Sequence, residues 1–408
     1  MATATKTFEY SVRDRQGKLV SGRLDAQNEA ALVRKLRGMG YAPVSIRESG
    51  GGGLKREITL PGSGRVSLKD LTIMSRQFAT MVSSGLSLLR ALTILSEQTE
   101  SRGLAKVLGE VRNEVEGGVA LSNAMAKHPL VFPPLMINMC RAGEVGGFLE
   151  STLLQVADNF EAESKLRGKI KSGMTYPVVV LIMAVLAVAG MLIFIVPIFK
   201  KMFEDLGGDL PAPTKVLVFL SEQMKWVGPL TLVSLIVFAV VWSKVRHKAG
   251  VRDVVDPVKF KLPVFGPLFQ KVALSRFARN LGAMTRAGVP ILQALDIVAD
   301  TTGNVVVAKA VHDVQNSVRS GESLTGPLER HKVFPPMVVQ MLAVGEDTGA
   351  LDTMLYKIGE FYDSEVEATT ESLTALMEPL MIAILGGIVG GMIIALYMPI
   401  FKIFELIK

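Results

Sequence analysis

The chain repeats itself, and that limits its architecture more than any other feature. Around Phe78 it reads FATMVSSGLSLLRALTIL, and around Leu281 it reads LGAMTRAGVPILQALDIV. Met81 aligns with Met284, Gly85 with Gly288, Leu89 with Leu292 and Ala91-Leu92 with Ala294-Leu295, at an offset of 203. Further on, Val131-Phe132-Pro133-Pro134 matches Val333-Phe334-Pro335-Pro336 at an offset of 202, one residue having been lost between His331 and Val333. Gly143-Glu144 then matches Gly345-Glu346, Gly147 matches Gly349, and Leu149 matches Leu351. Pro177 matches Pro379, and the Pro-Ile-Phe-Lys at 197–200 recurs at 399–402. A duplication of this length means two copies of one unit, each a polar part followed by an apolar run.

The apolar runs set the class. Crossing about 30 Å of hydrocarbon takes about 20 apolar residues in a helix. Val178 to Phe199, Trp226 to Ser243 and Pro379 to Phe401 are uncharged runs of that kind. Trp226 and Trp242 stand near the ends of the second, as interfacial anchors do. Hydrophobic residues make up 49% of the chain and charged ones 20%, so soluble domains plus a few spans are expected. The mean hydropathy of +0.37 agrees.

Charge gives the direction. Lys165, Arg167, Lys169 and Lys171 precede the first span, and Lys244, Arg246, Lys248, Arg252, Lys259 and Lys261 follow the second. Between them, four lysines are balanced by Glu204, Asp205, Asp209 and Glu222. The positive-inside rule places the two basic groups in the cytoplasm, with residues 200–225 and the tail 402–408 outside. The second span has no repeat partner and returns the chain, so that both soluble units share one side. The net charge of +7 is read as this topology signal, not as a nucleic-acid patch. Met1 to Asp25 is too polar for a signal-peptide core, so the N-terminal part is expected to stay in the cytoplasm.

Within each repeat the periodicity is helical. Ser67, with Asp70 three residues on, reads as an N-cap, and Leu71, Met74, Phe78, Met81 and Val82 recur at helix spacing. Gly85 fits a helix stop, and Ser87 fits the next start. Helices are expected near 102–116, 121–127 and 134–142, with a long one from Gly147 toward the membrane. The expectation is a mainly α chain: two repeated six-helix cytoplasmic bundles and three transmembrane helices, with a small N-terminal ββαβ module. In boundaries, this gives 1–48 for the α/β module and 49–66 for a Gly-rich flexible linker. The first helical domain is 67–174, its span 175–199, an extracytoplasmic loop 200–225 and the second span 226–243. A basic connector and the second domain follow at 244–376, then a span at 377–401 and an extracytoplasmic tail at 402–408. Short connections are expected to join domains to spans.

The chain carries no recognisable catalytic motif. Gly50 to Lys55 superficially resembles a phosphate-binding loop but lacks the GxxxxGK[ST] spacing. There is no G-x-S-x-G and no H-E-x-x-H. One cysteine, Cys140, and four scattered histidines make neither a disulfide nor a zinc cluster. His128 and His331 recur just before the Phe-Pro-Pro turns and read as turn residues. The spans carry no ionisable group, which speaks against a transport path.

The candidate residues are therefore structural. Gly143, Glu144, Gly147, Gly345, Glu346 and Gly349 form a duplicated motif where one helix ends and the next begins. Each Glu is expected to cap the long helix that follows, with a metal or partner contact as the alternative. Gly85, Gly288, Phe132, Pro133, Phe334 and Pro335 are read as repeat core and turn. Gly386, Gly387, Gly390 and Gly391 give two overlapping G-x-x-x-G pairs and are read as a packing face.

The duplicated F-x-x-M-x-x-x-G-x-x-[LI]-x-x-A-L pattern resembles that of the type II secretion F / type IV pilus platform proteins, the GspF/PilC family. So do the Phe-Pro-Pro and Gly-Glu motifs and Leu210-Pro211-Ala212-Pro213-Thr214. The likeness covers essentially the whole chain. It implies a non-catalytic, cofactor-free platform in the bacterial inner membrane. Its implied partners are a hexameric assembly or retraction ATPase in the cytoplasm, pilin-like subunits, other inner-membrane assembly proteins and membrane lipid. It also implies a homodimer or higher homo-oligomer. The platform would couple the ATPase to insertion of subunits into a filament. A transporter built from repeats and an enzyme with an unrecognised site are the alternatives.

Overall fold

The computed structural model describes residues 6–13, 19–26, 29–38, 42–48, 66–205, 210–246, 248–263 and 265–406. The chain divides into two units, Met1–Gly64 and Arg65–Lys408. The Gly-rich linker and its phosphate-loop look-alike lie almost wholly outside the described residues, as does the expected turn at Asp14 to Gly17.

In the first unit, β1 (Lys6–Arg13), β2 (Leu19–Ala26), α1 (Glu29–Gly38) and β3 (Ala42–Glu48) follow in order. The sheet order is β2-β1-β3, antiparallel throughout, with a register shift against β3 between Ser11 and Val12. Leu32 and Leu36, one helical turn apart on α1, are fully buried.

The second unit begins with α2 (Leu68–Ser83), whose start is fixed by a reciprocal pair of hydrogen bonds. Asp70 N donates to Ser67 Oγ at 3.1 Å, and Ser67 N donates to Asp70 Oδ2 at 3.0 Å. Then come α3 (Leu88–Gln98), α4 (Arg102–Glu116), α5 (Leu121–Ala126) and α6 (Pro134–Gly146). The sixth helix, α7 (Leu149–Gly190), passes through a π-turn at Met191–Ile195 into α8 (Val196–Asp205). The chain returns through α9 (Ala212–Val245) and a short α10 (Ala249–Lys261). The second repeat uses α11 (Phe265–Arg286), α12 (Ile291–Thr301), α13 (Val305–Arg319), α14 (Thr325–Glu329), α15 (Pro336–Thr348) and α16 (Leu351–Leu406). Helix for helix, α2–α7 correspond to α11–α16.

The two repeats bury one continuous apolar core. Phe78, Leu92, Leu108, Met125 and Phe132 from the first meet Phe277, Leu295, Val311, Leu328 and Phe334 from the second in a single cluster. Phe334 packs its ring edge-on to Phe277, with centroids 5.0 Å apart. Pro133 and Pro335 cap α6 and α15 in the same extended conformation. Gly85 and Gly288 end α2 and α11 at φ of +86° and +68°.

The expected short connections between domain and span are absent. The stretch Leu149–Asp205 is helical over 57 residues, and α16 runs for 56. At 1.5 Å per residue each extends about 85 Å, far beyond any bilayer. Pro177 and Pro379 lie inside these helices, not at a break. An internal proline removes one hydrogen bond without ending a helix that its surroundings support. The second apolar run likewise belongs to a longer helix, which begins at Ala212 and carries Lys215, Glu222 and Lys225 before the apolar part. Among the described residues, three helices are long and apolar enough to cross a membrane. Leu181, Ile182, Leu230, Leu235, Leu380 and Ile382 on them are exposed, a surface suited to lipid.

Phe132 fills the core at the turn between α5 and α6. Phe132→Ala is expected to cost about 3–5 kcal/mol. The thermal midpoint of the detergent-solubilised chain measures this, and an unchanged midpoint would contradict the placement.

Candidate functional site

Glu144 and Glu346 do not cap the helices that follow them. Each sits inside its own helix, α6 or α15, and reaches back to the start of a short helix earlier in the repeat. Leu121 N donates to Glu144 Oε1 at 2.5 Å, and Ser122 N donates to Oε2 at 3.1 Å. In the second repeat Leu324 N donates to Glu346 Oε1 at 2.8 Å, and Thr325 Oγ1 donates to Oε2 at 3.3 Å. The carboxylates thus take up free N–H groups at the starts of α5 and α14, and their charge suits the dipole there. The N-cap residues Ala120 and Leu324 supply no side-chain cap of their own, although Ser323 Oγ also accepts from Gly326 N at 3.3 Å in α14. The carboxylate caps the helix before its own and not, as expected, the one after it, and the bond is duplicated as the motif is.

The glycines do two different things. Gly147 and Gly349 end α6 and α15 with φ of +75° and +71°, the left-handed turn that glycine adopts freely. Gly143 and Gly345 instead make room. A Cβ at Gly143 would lie 2.6 Å from Thr152 Oγ1 and 3.0 Å from Leu149 Cα. One at Gly345 would lie 3.0 Å from both Leu351 Cα and Met354 Cγ. Their bare backbones let α6 and α15 lie directly against the first turns of α7 and α16. Each junction is therefore a tight corner: a short helix held by a carboxylate, a helix with a flat spot, and the start of a long helix.

The two long helices meet along a seam. Toward the bundle α11 stands between them: Asn159 Nδ2 on α7 donates to Asn280 Oδ1 on α11 at 3.2 Å, and Arg276 of α11 binds Glu163 of α7 with Nη2 2.7 Å from Oε1. Nearer the membrane Lys169 pairs with Glu367, and Thr374 Oγ1 donates to Gly173 O at 3.1 Å. A Cβ at Gly173 would lie 2.6 Å from Thr370 Cγ2. A cleft of about 650 Å³ opens beside the seam, lined by charges of both signs that include Asp158, Lys165, Arg286 and Glu360. Among the described residues no cluster of His, Cys, Asp and Glu is placed to hold a metal ion.

Sequence reading overlooked a duplicated ion pair. On α2, Arg76 donates to Glu161 on α7 from Nε at 2.5 Å and from Nη2 at 2.7 Å, and reaches Asp158 as well. This holds the Glu161 carboxyl below the usual carboxylate range. On α11, Arg279 pairs with Asp363 on α16, and Ser275 Oγ also donates to that carboxylate. Arg76 and Arg279 stand 203 apart, Glu161 and Asp363 202 apart, so the repeat offset carried the signal. His128 and His331 face acids at equivalent positions, Glu110 at 3.6 Å and Asp313 at 3.4 Å. Their carbonyls accept from Phe132 N and Phe334 N, both at 3.0 Å, which forms the turns. Cys140 is fully buried, and burial pushes its thiol up to about 12, which leaves it unreactive.

The four glycines in the apolar part of α16 face open space within one chain, with nothing within 4 Å of a Cβ at Gly386, Gly387, Gly390 or Gly391. The contacts between spans come instead from Met392, Ala395 and Leu396, which pack on Leu192, Val196, Leu217 and Val218. Thr214 and Ser221 hydroxyls tie these helices by donating to Ala395 O and Leu192 O, each at 2.5 Å.

At the corner, Gly143→Ala should destabilise the chain, the steric clash outweighing the ~0.5–1 kcal/mol that alanine gains over glycine inside a helix. Thr152→Ala should recover part of the loss, because Thr152 Oγ1 is the nearest obstacle. Glu144→Ala should cost about 1 kcal/mol, with Glu144→Gln milder because one acceptor remains. Thermal unfolding in detergent reads all four, and wild-type midpoints for Gly143→Ala would contradict the packing described.

Known proteins share this organisation. The family described as type II secretion system (T2SS), protein F, matches residues 74–197 and again 277–399, the two helical repeats with their first and third spans. The N-terminal domain of type II secretion system protein F matches residues 1–47. The type IV pilus assembly protein PilC of Myxococcus xanthus is 42% identical over 98% of this chain and 95% of its own length. PilC of Thermus thermophilus is 44% identical over 97% of this chain and 98% of its own. The type II secretion system protein F of Vibrio cholerae is 32% identical over 98% of this chain and 99% of its own. With its duplicated bundles, shared core and apolar helices all inside these matches, the chain belongs to the type II secretion system protein F family.

Proposed function

We propose that the protein is the inner-membrane platform of a type IV pilus or type II secretion-like machine. In this reading it couples a hexameric cytoplasmic ATPase to the insertion of pilin-like subunits into a filament. The names of its relatives support the assembly role. The observation that carries the coupling is mechanical: each domain's last helix is also a membrane span. A displacement of the bundle then moves the span with it, because no loop lies between them to absorb the motion.

The duplicated corners support the same reading. Gly143 and Gly345 fit each bundle closely to the start of its long helix, and Glu144 and Glu346 brace the short helix behind. A push on either domain would reach the long helix through packed backbone. Energy must come from a partner, since no phosphate-binding motif is present in the sequence. The basic groups at 165–171 and 244–261 favour a cytoplasmic N-terminus and an extracytoplasmic C-terminus. The open glycine face of α16 suits close approach by a second copy of the chain, in a homodimer or larger assembly.

The test has two arms. Purified chain in nanodiscs should capture the cognate hexameric ATPase, and failure to do so would remove the motor from the proposal. A flexible Gly-Ser insertion after Lys171 should then leave membrane insertion and ATPase capture intact while filament output falls sharply. Wild-type output at matched protein levels would show that the continuous helix is not the coupling element.

A further inference from the structure

Helix α10 packs Phe260 against the apolar core, yet it also buries an acid and leaves an apolar stripe outside. Its inward side carries Asp256, which is almost completely buried. Val305 N donates to Asp256 Oδ2 at 3.1 Å at the start of α13, and Lys259 Nζ donates to Oδ1 at 2.9 Å. Arg252 stands 3.8 Å from the same carboxylate. The outward side carries Val254 at 66% exposure, Val258 at 54% and, just past the helix end, Leu262 at 43%. These three are four residues apart and form one stripe. Phe269 on α11, 37% exposed, is a further apolar side chain close by in the chain. An amphipathic surface helix has its apolar stripe inward and its charges outward.

The position of α10 accounts for the outward stripe. Span helix α9 ends at Val245, and α10 starts at Ala249, four Cα steps on and so at most about 15 Å away. At its other end α10 leads into α11, whose Leu268 packs with Leu166, Val366 and Leu373. Leu373 is six residues from Pro379, about 9 Å along α16 from the apolar run. Both ends of α10 are thus held near the level where the long helices enter the apolar band. Lys244, Lys248 and Lys261 are exposed around the stripe.

We propose that α10 lies on the bilayer surface, with Val254, Val258 and Leu262 in the acyl boundary and Lys244, Lys248 and Lys261 against anionic lipid phosphates. Two observations select lipid as the occupant: the stripe follows a span within a few residues, and the exposed charges around it are basic apart from Asp253, which Lys309 neutralises at 3.0 Å. Asp256 joins α10 to the start of α13, so this contact holds the second domain at a fixed height above the membrane. The proposal rests on α9 crossing the bilayer.

The test uses the full chain with Cys140 replaced by Ala and single nitroxide-labelled cysteines at Val254, Val258, Val237 and Lys106. The proteins are reconstituted in nanodiscs with and without phosphatidylglycerol. Val237 lies within the second span and Lys106 on the exposed domain surface. With phosphatidylglycerol, labels at Val254 and Val258 should collide more often with oxygen than with a water-soluble nickel chelate, as at Val237 and opposite to Lys106. In phosphatidylcholine alone the preference should weaken, and an unchanged preference would overturn the anionic part. Chelate-accessible labels at Val254 and Val258, with Val237 still lipid-like, would overturn the proposal alone. Labels shielded from both agents would overturn it in favour of a protein cover, with spin–spin broadening identifying a second copy. A chelate-accessible Val237 would instead overturn the span on which the proposal rests.

Discussion

Hydrocarbon leaves no backbone polar group a partner outside its own segment or a neighbour, and this requirement organises the chain. Each repeat ends by entering the membrane, so its last helix must be complete before the apolar run begins. Both final helices meet this by starting deep in the helical bundle, at Leu149 and Leu351, and running through without a break. Domain and span become one body in each repeat. The seam from Asn159 and Asn280 down to Gly173 and Thr374 then sets one body against the other.

The repeat offset made the architecture legible. It foretold two equivalent bundles and the matched turns at Gly85 and Gly288, while local cap chemistry foretold the start of α2 at Ser67 and Asp70. What it missed lies across long sequence separations. Glu144 caps a helix start 22–23 residues earlier, whereas a helix-boundary rule inspects only neighbouring residues. The Arg76–Glu161 pair spans 85 residues. The unbroken domain–span helices were hidden for another reason. Hydropathy marks where lipid begins, not where a helix begins, and Pro177 and Pro379 suggest breaks that packing overrides. The basic residues near α10 read as a topology signal, which masked the apolar stripe among them.

The copies share a fold but not a surface. In the first repeat Leu130 is almost fully exposed and Val145 nearly so. The second repeat has Asp347 in place of Val145 and has lost a residue in the loop that carries Leu130. Arg76 holds two acids, whereas Arg279 shares Asp363 with Ser275. Core positions kept their chemistry because one apolar cluster spans both copies, and a change there would be felt across both. Surface positions had no such constraint, so one fold presents an apolar tip in one copy and a charged one in the other.

In each repeat the last helix of the domain continues unbroken into the span. Amide hydrogen exchange on the chain in nanodiscs tests it most directly, at residues 166–176 and 368–378, where helix leaves the bundle and approaches lipid. A continuous helix gives slow exchange through both stretches, matching the protection of the bundle on one side and the span on the other. Exchange at the rate of an unstructured peptide in either stretch would show a flexible joint there and contradict it.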